Sequence, residues 1–377
     1  MKIIIGADFY PVRRVEDFLK RNEFEYLLGE IKPYITKADY SLVNYESTFY
    51  GDGVESPKFG PSMATDEQSV RLVKWCGFKC STLANNHIHD YGNKGLHDLL
   101  ECMQRHNIDY VGAGLNLKDA NETLFKEICG ERIAFINCCE HEFNIADENQ
   151  GGANPLNIIQ QYYAIKEACI NAKRVIVIVH GGSINCQIPS PRMQETYRFF
   201  IDSGASAVIN HHQHCYSGYE YYHGAPIIYG LGNLFFDKPW LKNTTWTEGY
   251  LVQLNIEQDN PSIKIEILPY TQCADEPNVK MLEGDEKVKF FKSIETLNSI
   301  IKDPKLLKEK YNQWVDSNEE MCVNAFMYLQ NPKIRALLRR KLIPRFTVDS
   351  LYTLNYLYCE SHYDRILRYL KKKFKLI

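Results

Sequence analysis

Five apolar, strand-like runs in the first two-thirds of the chain each end in residues able to hold a metal ion. Ile3-Ile4-Ile5-Gly6-Ala7 runs into Asp8, Tyr40-Ser41-Leu42-Val43 into Asn44 and Glu46, and Ser81-Thr82-Leu83-Ala84 into Asn85-Asn86-His87. Val175-Ile176-Val177-Ile178-Val179 ends at His180, and Ala207-Val208-Ile209 at Asn210-His211-His212-Gln213-His214. Side chains at the carboxyl ends of neighbouring strands in an open α/β sheet converge on one crevice. One shared site is the economical reading of all five.

A chain of 377 residues is long enough for one large or two modest domains, each with its own core. With 45% apolar and 24% charged residues and no low-complexity segment, it reads as a folded, water-soluble protein. The first apolar stretch is too short for a signal-peptide core and meets an acid at Asp8. No run reaches the roughly 18 to 20 apolar residues of a membrane span, and the expected location is cytoplasmic. The twelve cysteines are scattered without a Cys-x-x-Cys pair, as expected of reduced, structural thiols.

Two parts are expected, residues 1–272 and 273–377. Up to about Leu268, Val/Ile/Tyr-rich runs alternate with helical patterns such as Asp66–Trp75 and Gly95–Met103, the sign of a layered α/β domain. Gly249–Ile256 and Ile263–Leu268 alternate apolar and polar residues, predicting paired antiparallel strands with one solvent face. After Cys273 the pattern turns helical, over Asp285–Lys302, Lys305–Asp316, Asn318–Leu342 and Val348–Phe374. Charge divides the same way: residues 331–377 hold twelve Lys/Arg against three acids, leaving 32 basic against 44 acidic residues in the rest.

Asp8 and Glu46 are hard oxygen donors, Asn86 offers an amide oxygen, and His180, His212 and His214 are imidazoles. Such a mixed set suits one or two divalent ions such as Mn, Fe or Zn. In such sites a metal makes hydroxide from bound water, and a second ion about 3.5–4 Å away clamps the reacting oxygens. Each residue alone has a second explanation. Asp8 suits a helix N-cap, Asn85-Asn86 a turn, His180 a hydrogen-bonded core histidine and His211-His212 an exposed loop; their order and number favour a site. His89, His97, His106, His141 and His223 read as structural or exposed. Glu140 and Glu142 follow the Arg132–Asn137 strand closely enough to reach the site, yet a solvated loop is the stronger expectation there. Gly230-Leu231-Gly232-Asn233 lacks the Lys-Ser/Thr and glycine spacing of a nucleotide loop.

These segments carry a resemblance. Gly6-Ala7-Asp8, Val43-Asn44-Tyr45-Glu46, Leu83–Gly92, Gly112-Ala113-Gly114, Ile178–Gly182, Asn210–His214 and Ile228–Asp237 appear in the order of the bacterial CapA-type capsule-synthesis (poly-γ-glutamate) family. That family is similar in fold to the calcineurin-like metallophosphoesterases. The resemblance implies a four-layer α/β sandwich, here with a C-terminal helical extension. It also implies Asp8, Glu46, Asn86, His180, His212 and His214 as metal ligands, with His87 the catalytic acid and Asp8 the other residue central to catalysis; a ligand-orienting role is the alternative for His87. The chain departs from the pattern in three places. Tyr10 stands where metallophosphoesterases usually carry a histidine two residues after the Asp, and against the CapA-type motifs Ser183-Ile184-Asn185 follows His180-Gly181-Gly182 in place of an aromatic residue and Glu, and Asn210 and Gln213 replace Gly and Pro.

The expected function is metal-dependent hydrolysis, of the phosphoester type, in making or processing a bacterial surface polymer. Its substrate would be a polymer precursor or a phosphorylated small molecule. Hydrolysis or transfer at a γ-glutamyl amide, and a non-catalytic accessory role beside a polymer synthase, are the alternatives. No nucleic-acid module appears, and the basic excess is confined to the tail. Arg365–Ile377 mixes Ile366, Leu367, Tyr369, Leu370 and Phe374 with six cations. That pattern suits a helix on the inner face of an anionic membrane as well as a helix packed on the body.

Overall fold

The computed structural model describes residues 1–258, 260–318, Lys333, Leu337 and 348–373. The strands of its two main sheets are Lys2–Tyr10 (β1), Tyr40–Tyr45 (β2), Cys80–Thr82 (β3), Asp109–Val111 (β4), Leu124–Ile128 (β5), Glu131–Cys139 (β6) and Arg174–His180 (β7). Ala207–His211 (β8), Tyr219–Tyr222 (β9), Ala225–Ile228 (β10), Asn233–Phe236 (β11), Glu248–Ile256 (β12), Ile263–Gln272 (β13) and Val279–Met281 (β14) follow. The first sheet runs β14-β13-β12-β1-β2-β3-β4, with β11 also on β1, and the second runs β9-β10-β8-β7-β6-β5.

The apolar runs are continuous because most central strands are covered on both faces. In the second sheet, Ile133, Phe135, Ile176, Ile178, Ala207 and Ile209 join the core shared with the first sheet. Their alternates Ala134, Ile136, Val175, Val177, Val179 and Val208 pack against helices instead. These are Ile158–Asn171 (α3), through Ile165 and Ala168, and Pro191–Asp202 (α4), through Met193, Tyr197 and Phe200. The period of two thus assigns each residue to a layer, and Tyr40 stacked on Phe135 at 5.4 Å links the sheets. Glu67–Cys76 (α1) and Gly92–Arg105 (α2) belong to the first sheet's outer layer, giving helix, sheet, sheet, helix. The four-layer α/β sandwich is the architecture that the resemblance implies.

Register places the site. In β7, His180 lies opposite Cys139 of β6 and His211 of β8, so the three strands end level. In the first sheet, β1 pairs antiparallel with β12 over Lys2–Ile5 and parallel with β11 from Asp8 onward. The register of β1 slips at Asp8 against both β2 and β11, an irregularity of the kind that re-aims a side chain beside a site. The expected strand pair at 249–268 is the long β12–β13 ladder, but only β13 shows the expected solvent face; β12 is covered on both faces.

Asp66 caps α1 by accepting from the Gln68 amide. Gly284–Lys302 (α5) and Pro304–Ser317 (α6) match the expected helices, and Asp303 caps the second. The expected helix over 318–342 falls outside the described residues, except at Asn318, Lys333 and Leu337. The last expected segment, Val348–Phe374, is two helices, Val348–Tyr358 (α7) and Glu360–Lys373 (α8), that meet at Cys359. Arg365 and Ile366 of α8 are buried and Tyr369 packs on the main core, while Lys372 and Lys373 face solvent. Among the described residues no helix is long and apolar enough to cross a membrane.

Candidate metal centre

All six donors named from the sequence meet at the ends of the two sheets. His180 Nε2 lies 3.6 Å from Glu46 Oε1, 3.2 Å from Asn86 Oδ1 and 3.0 Å from His212 Nδ1. His214 Nε2 lies 3.6 Å from Glu46 Oε1, and its Nδ1 lies 3.4 Å from Asp8 Oδ2. Two triads result, Glu46–His180–His212 and Asp8–Glu46–His214, and within each the donor atoms lie within 4.8 Å of one another. Glu46 belongs to both. The backbone helps, since His212 has φ of 90° and His214 of 53°. Positive φ is uncommon for non-glycine residues and gathers at functional sites. In this conformation the His212 amide donates to Asp8 Oδ2 at 3.1 Å.

The donors are buried, and their charges act strongly on one another. Burial alone would raise the Asp8 carboxyl, but its bond to His214 and the nearby imidazoles hold it below its usual range. Burial, followed by the charges of Asp8 and Glu142, drives Glu46 well above the usual carboxylate range. Burial presses His180 well below the ordinary histidine range, and the other imidazoles add to the effect. Neither oxygen of Glu46 has a hydrogen-bond partner, although the residue is fully buried. An unsatisfied buried carboxylate is costly, and the donor set suits a divalent cation as the missing partner.

His87 sits one residue beyond Asn86 and is oriented from behind. Its Nδ1 lies 2.7 Å from Asp90 Oδ2 and 3.0 Å from Lys58 Nζ, and Lys58 itself pairs with Asp90. Burial and the Lys58 charge lower the His87 pKa, with Asp90 opposing. His89 is buried and bonds Asn93 at 2.9 Å, while His97 is half-buried and His223 exposed.

One expectation is overturned. Glu140 and Glu142 do not lie in a solvated loop; Glu140 is 3% exposed and the Glu142 side chain 14%. Glu142 Oε2 accepts from Asn86 Nδ2 at 2.7 Å and lies 3.5 Å from His212 Nε2. Burial would raise Glu142, but His212, His362, His87 and Lys58 together bring it down to about 2. Asn44 and Asn233 also belong to the centre. Asn44 Nδ2 donates to Asp8 Oδ1 at 2.7 Å, and Asn233 Oδ1 holds His214 Nδ1 at 2.9 Å. Asn44 and Glu142 carried the available signal of a polar residue at a strand's carboxyl end; Lys58, in an irregular loop, carried none.

The family described as "Bacterial capsule synthesis protein PGA_cap" matches residues 2–238, the span that contains both donor triads. The chain belongs to this capsule synthesis family. A relative named "Capsule biosynthesis protein CapA" from Bacillus anthracis is 30% identical over 272 residues, covering 70% of this chain and 65% of that protein. The "PGA biosynthesis protein CapA" of Bacillus subtilis is 29% identical over 70% of this chain and 69% of its own. The chain thus spans about two-thirds of these relatives' length. A solved phosphatase structure from Mycoplasma pneumoniae aligns with a TM-score of 0.47 at 14% identity, over 78% of this chain and 99% of that one.

The departures from the capsule synthesis family's usual motifs are bonded to one another here. Asn210 Nδ2 donates to Gly181 O at 2.9 Å, Gln213 Nε2 to Cys186 O at 2.8 Å, and the Asn185 amide to Gln213 O at 2.8 Å. The altered segments thus form one network that ties the loop after His180 to the loop bearing His212. Tyr10 points elsewhere. It packs on Phe236 with ring centroids 5.1 Å apart.

Proposed function

We propose that this chain is a metal-dependent hydrolase, of the phosphoester type, acting in the making or processing of a bacterial capsule or related surface polymer. The observation that carries the reading is Glu46, a buried carboxylate with no hydrogen-bond partner, shared by two donor triads. Asp8, Glu46, Asn86, His180, His212 and His214 would hold one or two divalent ions. Such ions supply an activated water and neutralise charge developing on a phosphoryl group.

The chain's own groups have separable roles. Asn233 holds His214 through Nδ1 and leaves Nε2 turned to Glu46. The His212 amide and Asn44 occupy both oxygens of Asp8 and fix its carboxylate plane. Asp90 and Lys58 occupy the Nδ1 side of His87, so its Nε2 is the atom to protonate a leaving oxygen. Lys238 is felt electrostatically by Glu46 and places a cation near the centre for an anionic substrate group.

Tyr10 favours a second reading, an accessory subunit without turnover. The tyrosine replaces a histidine usual in metallophosphoesterases, and burial, the largest influence, keeps its hydroxyl protonated. A relative from Mycobacterium tuberculosis, 25% identical over 54% of this chain, is named a probable polyglutamine synthesis accessory protein. The deciding experiment is elemental analysis of protein purified without chelator, beside an Asp8→Ala/His212→Ala double variant, followed by turnover of a generic phosphoester. Bound Mn, Fe or Zn that the variant loses, with turnover that stops in His87→Ala, supports the hydrolase. Absence of metal after reconstitution refutes it, and metal without turnover supports the accessory reading.

A further inference from the structure

Three consecutive residues at the end of β6 are each held by the junction of the two C-terminal helices. Glu140 accepts from the Ser361 amide at 3.1 Å and from Ser361 Oγ at 2.9 Å. The His141 amide donates to Glu360 Oε2 at 2.9 Å, and His141 Nδ1 lies 2.6 Å from Glu360 Oε1. Glu142 Oε1 faces Asn355 Nδ2 at 3.5 Å and His362 Nε2 at 3.9 Å. Farther out, the Phe59 ring from the loop that also carries Lys58 meets the Tyr352 ring at 4.3 Å. The helix pair lies beyond residues 2–238, the span that matches the family.

Glu142 connects this junction to the candidate metal centre. Its Oε2 takes the Asn86 amide and lies beside His212, while its Oε1 is turned to Asn355 and His362. With Nδ2 engaged by Glu142, Asn86 has Oδ1 facing His180. His362 is buried, with no hydrogen-bond partner for Nδ1. The bond to Glu140 has a clear physical basis: the Ser361 amide lies in the first turn of α8, where helical N–H groups are unsatisfied and favour a carboxylate. Arg192 pairs with the same carboxylate and donates to Ser361 Oγ at 2.9 Å. The clamp is therefore assembled from the end of β6, the start of α4 and the α7–α8 junction.

We propose that the α7–α8 junction is part of the metal centre, with Asn355 and His362 acting as positioning residues that hold Glu142 against Asn86 and His212. The inference rests on the metal-site reading above and adds a requirement for a segment outside the family's matched span. Groups that orient metal ligands change metal affinity by about 10- to 100-fold when removed.

The test is Mn²⁺ titration of the full chain, stripped of metal, by calorimetry. The proteins compared are wild type, Asn355→Ala/His362→Ala, Glu142→Gln and the triple variant; thermal unfolding of each metal-free protein reports folding. The proposal expects the double variant to lose about tenfold or more in Mn²⁺ affinity, with its metal-free melting temperature close to wild type. Because the junction acts through Glu142, the triple variant should bind no more weakly than Glu142→Gln alone. His362→Gln, which keeps a donor, should restore part of the loss. Wild-type affinity in a folded double variant, or additive losses in the triple, overturns the proposal and leaves the metal site standing. Failure of the wild type itself to bind Mn²⁺ overturns the metal-site reading and this inference with it.

Discussion

His214 Nε2 lies 3.6 Å from Glu46 Oε1, a carboxylate that is fully buried yet accepts no hydrogen bond. Without a cation, such a group destabilises the fold once it ionises. Burial and the charges of Asp8 and Glu142 raise its folded-state pKa above the unfolded value. Its contribution is therefore most favourable at low pH and is lost as pH rises through the raised pKa. Glu46→Gln should stabilise the metal-free protein at about pH 8 by on the order of 1–3 kcal/mol, with little change near about pH 4, and should abolish metal retention. Melting of chelator-treated protein at the two pH values reads the first effect and elemental analysis the second. A variant less stable than wild type at the higher pH refutes the buried charge.

His87→Ala should lower kcat by about 10²- to 10⁴-fold, the usual contribution of a general acid, while bound metal stays at the wild-type level. The pH dependence carries more information. Burial and Lys58 push the His87 pKa down, so its acid form, and turnover with it, should fade as pH rises through a range below that of free histidine. Lys58→Met removes a cation that lowers this pKa and should move the falling limb of kcat to higher pH. A limb unmoved in Lys58→Met would assign the titration to another group.

Buried Glu140 and half-buried Arg192 form an ion pair that Ser361 completes. Arg192→Met leaves the buried carboxylate without its cation and with Ser361 as a remaining partner, a loss on the order of 3 kcal/mol. Replacing both partners, with Glu140→Gln added, should recover much of that loss, because a matched neutral pair leaves no isolated charge. Urea unfolding of the two variants distinguishes the ion pair from simple packing. Equal destabilisation in both would refute the charge argument.

The five strand ends were legible because strand period and ligand chemistry coincide there. Ile176 and Ile178 face one core and Val175, Val177 and Val179 the other, so the apolar run had to be a central strand, and the polar residue ending it had to lie on the rim. What stayed hidden was contributed by loops and by distant chain. Lys58 reaches His87 from a segment without regular structure, and no periodicity marks such a position. Glu142 looked solvated because the residues that cover it, Asn355 and His362, follow more than two hundred positions later. The basic tail was readable as an amphipathic helix, but its sequence does not specify what covers the apolar face. In the structure Ile366 is buried and Tyr369 packs against the main core.

Lys238 tests whether the centre receives an anion. Its Nζ lies 3.7 Å from the Trp246 ring centroid and 5.0 Å from that of Phe236, and both rings also pack on His214 at 4.8 Å. Among the described residues no carboxylate lies within ion-pairing distance of Nζ, so the aromatic faces and the field of Glu46 stabilise the cation. Burial lowers its pKa to about 8, opposed by Glu46 and assisted by Arg13. A cation on the substrate side should therefore release an anionic group as pH climbs through about 8. For a phosphoester, KM should rise across that range while kcat changes little, and inorganic phosphate should inhibit less. Lys238→Met should show the high KM at every pH, about tenfold or more above wild type if a charge-assisted hydrogen bond of roughly 1.5–3 kcal/mol is lost. Lys238→Arg keeps its charge to much higher pH and should flatten the alkaline rise. A KM in Lys238→Met equal to wild type at neutral pH would remove Lys238 from the substrate site, and leave its charge serving only to balance Glu46.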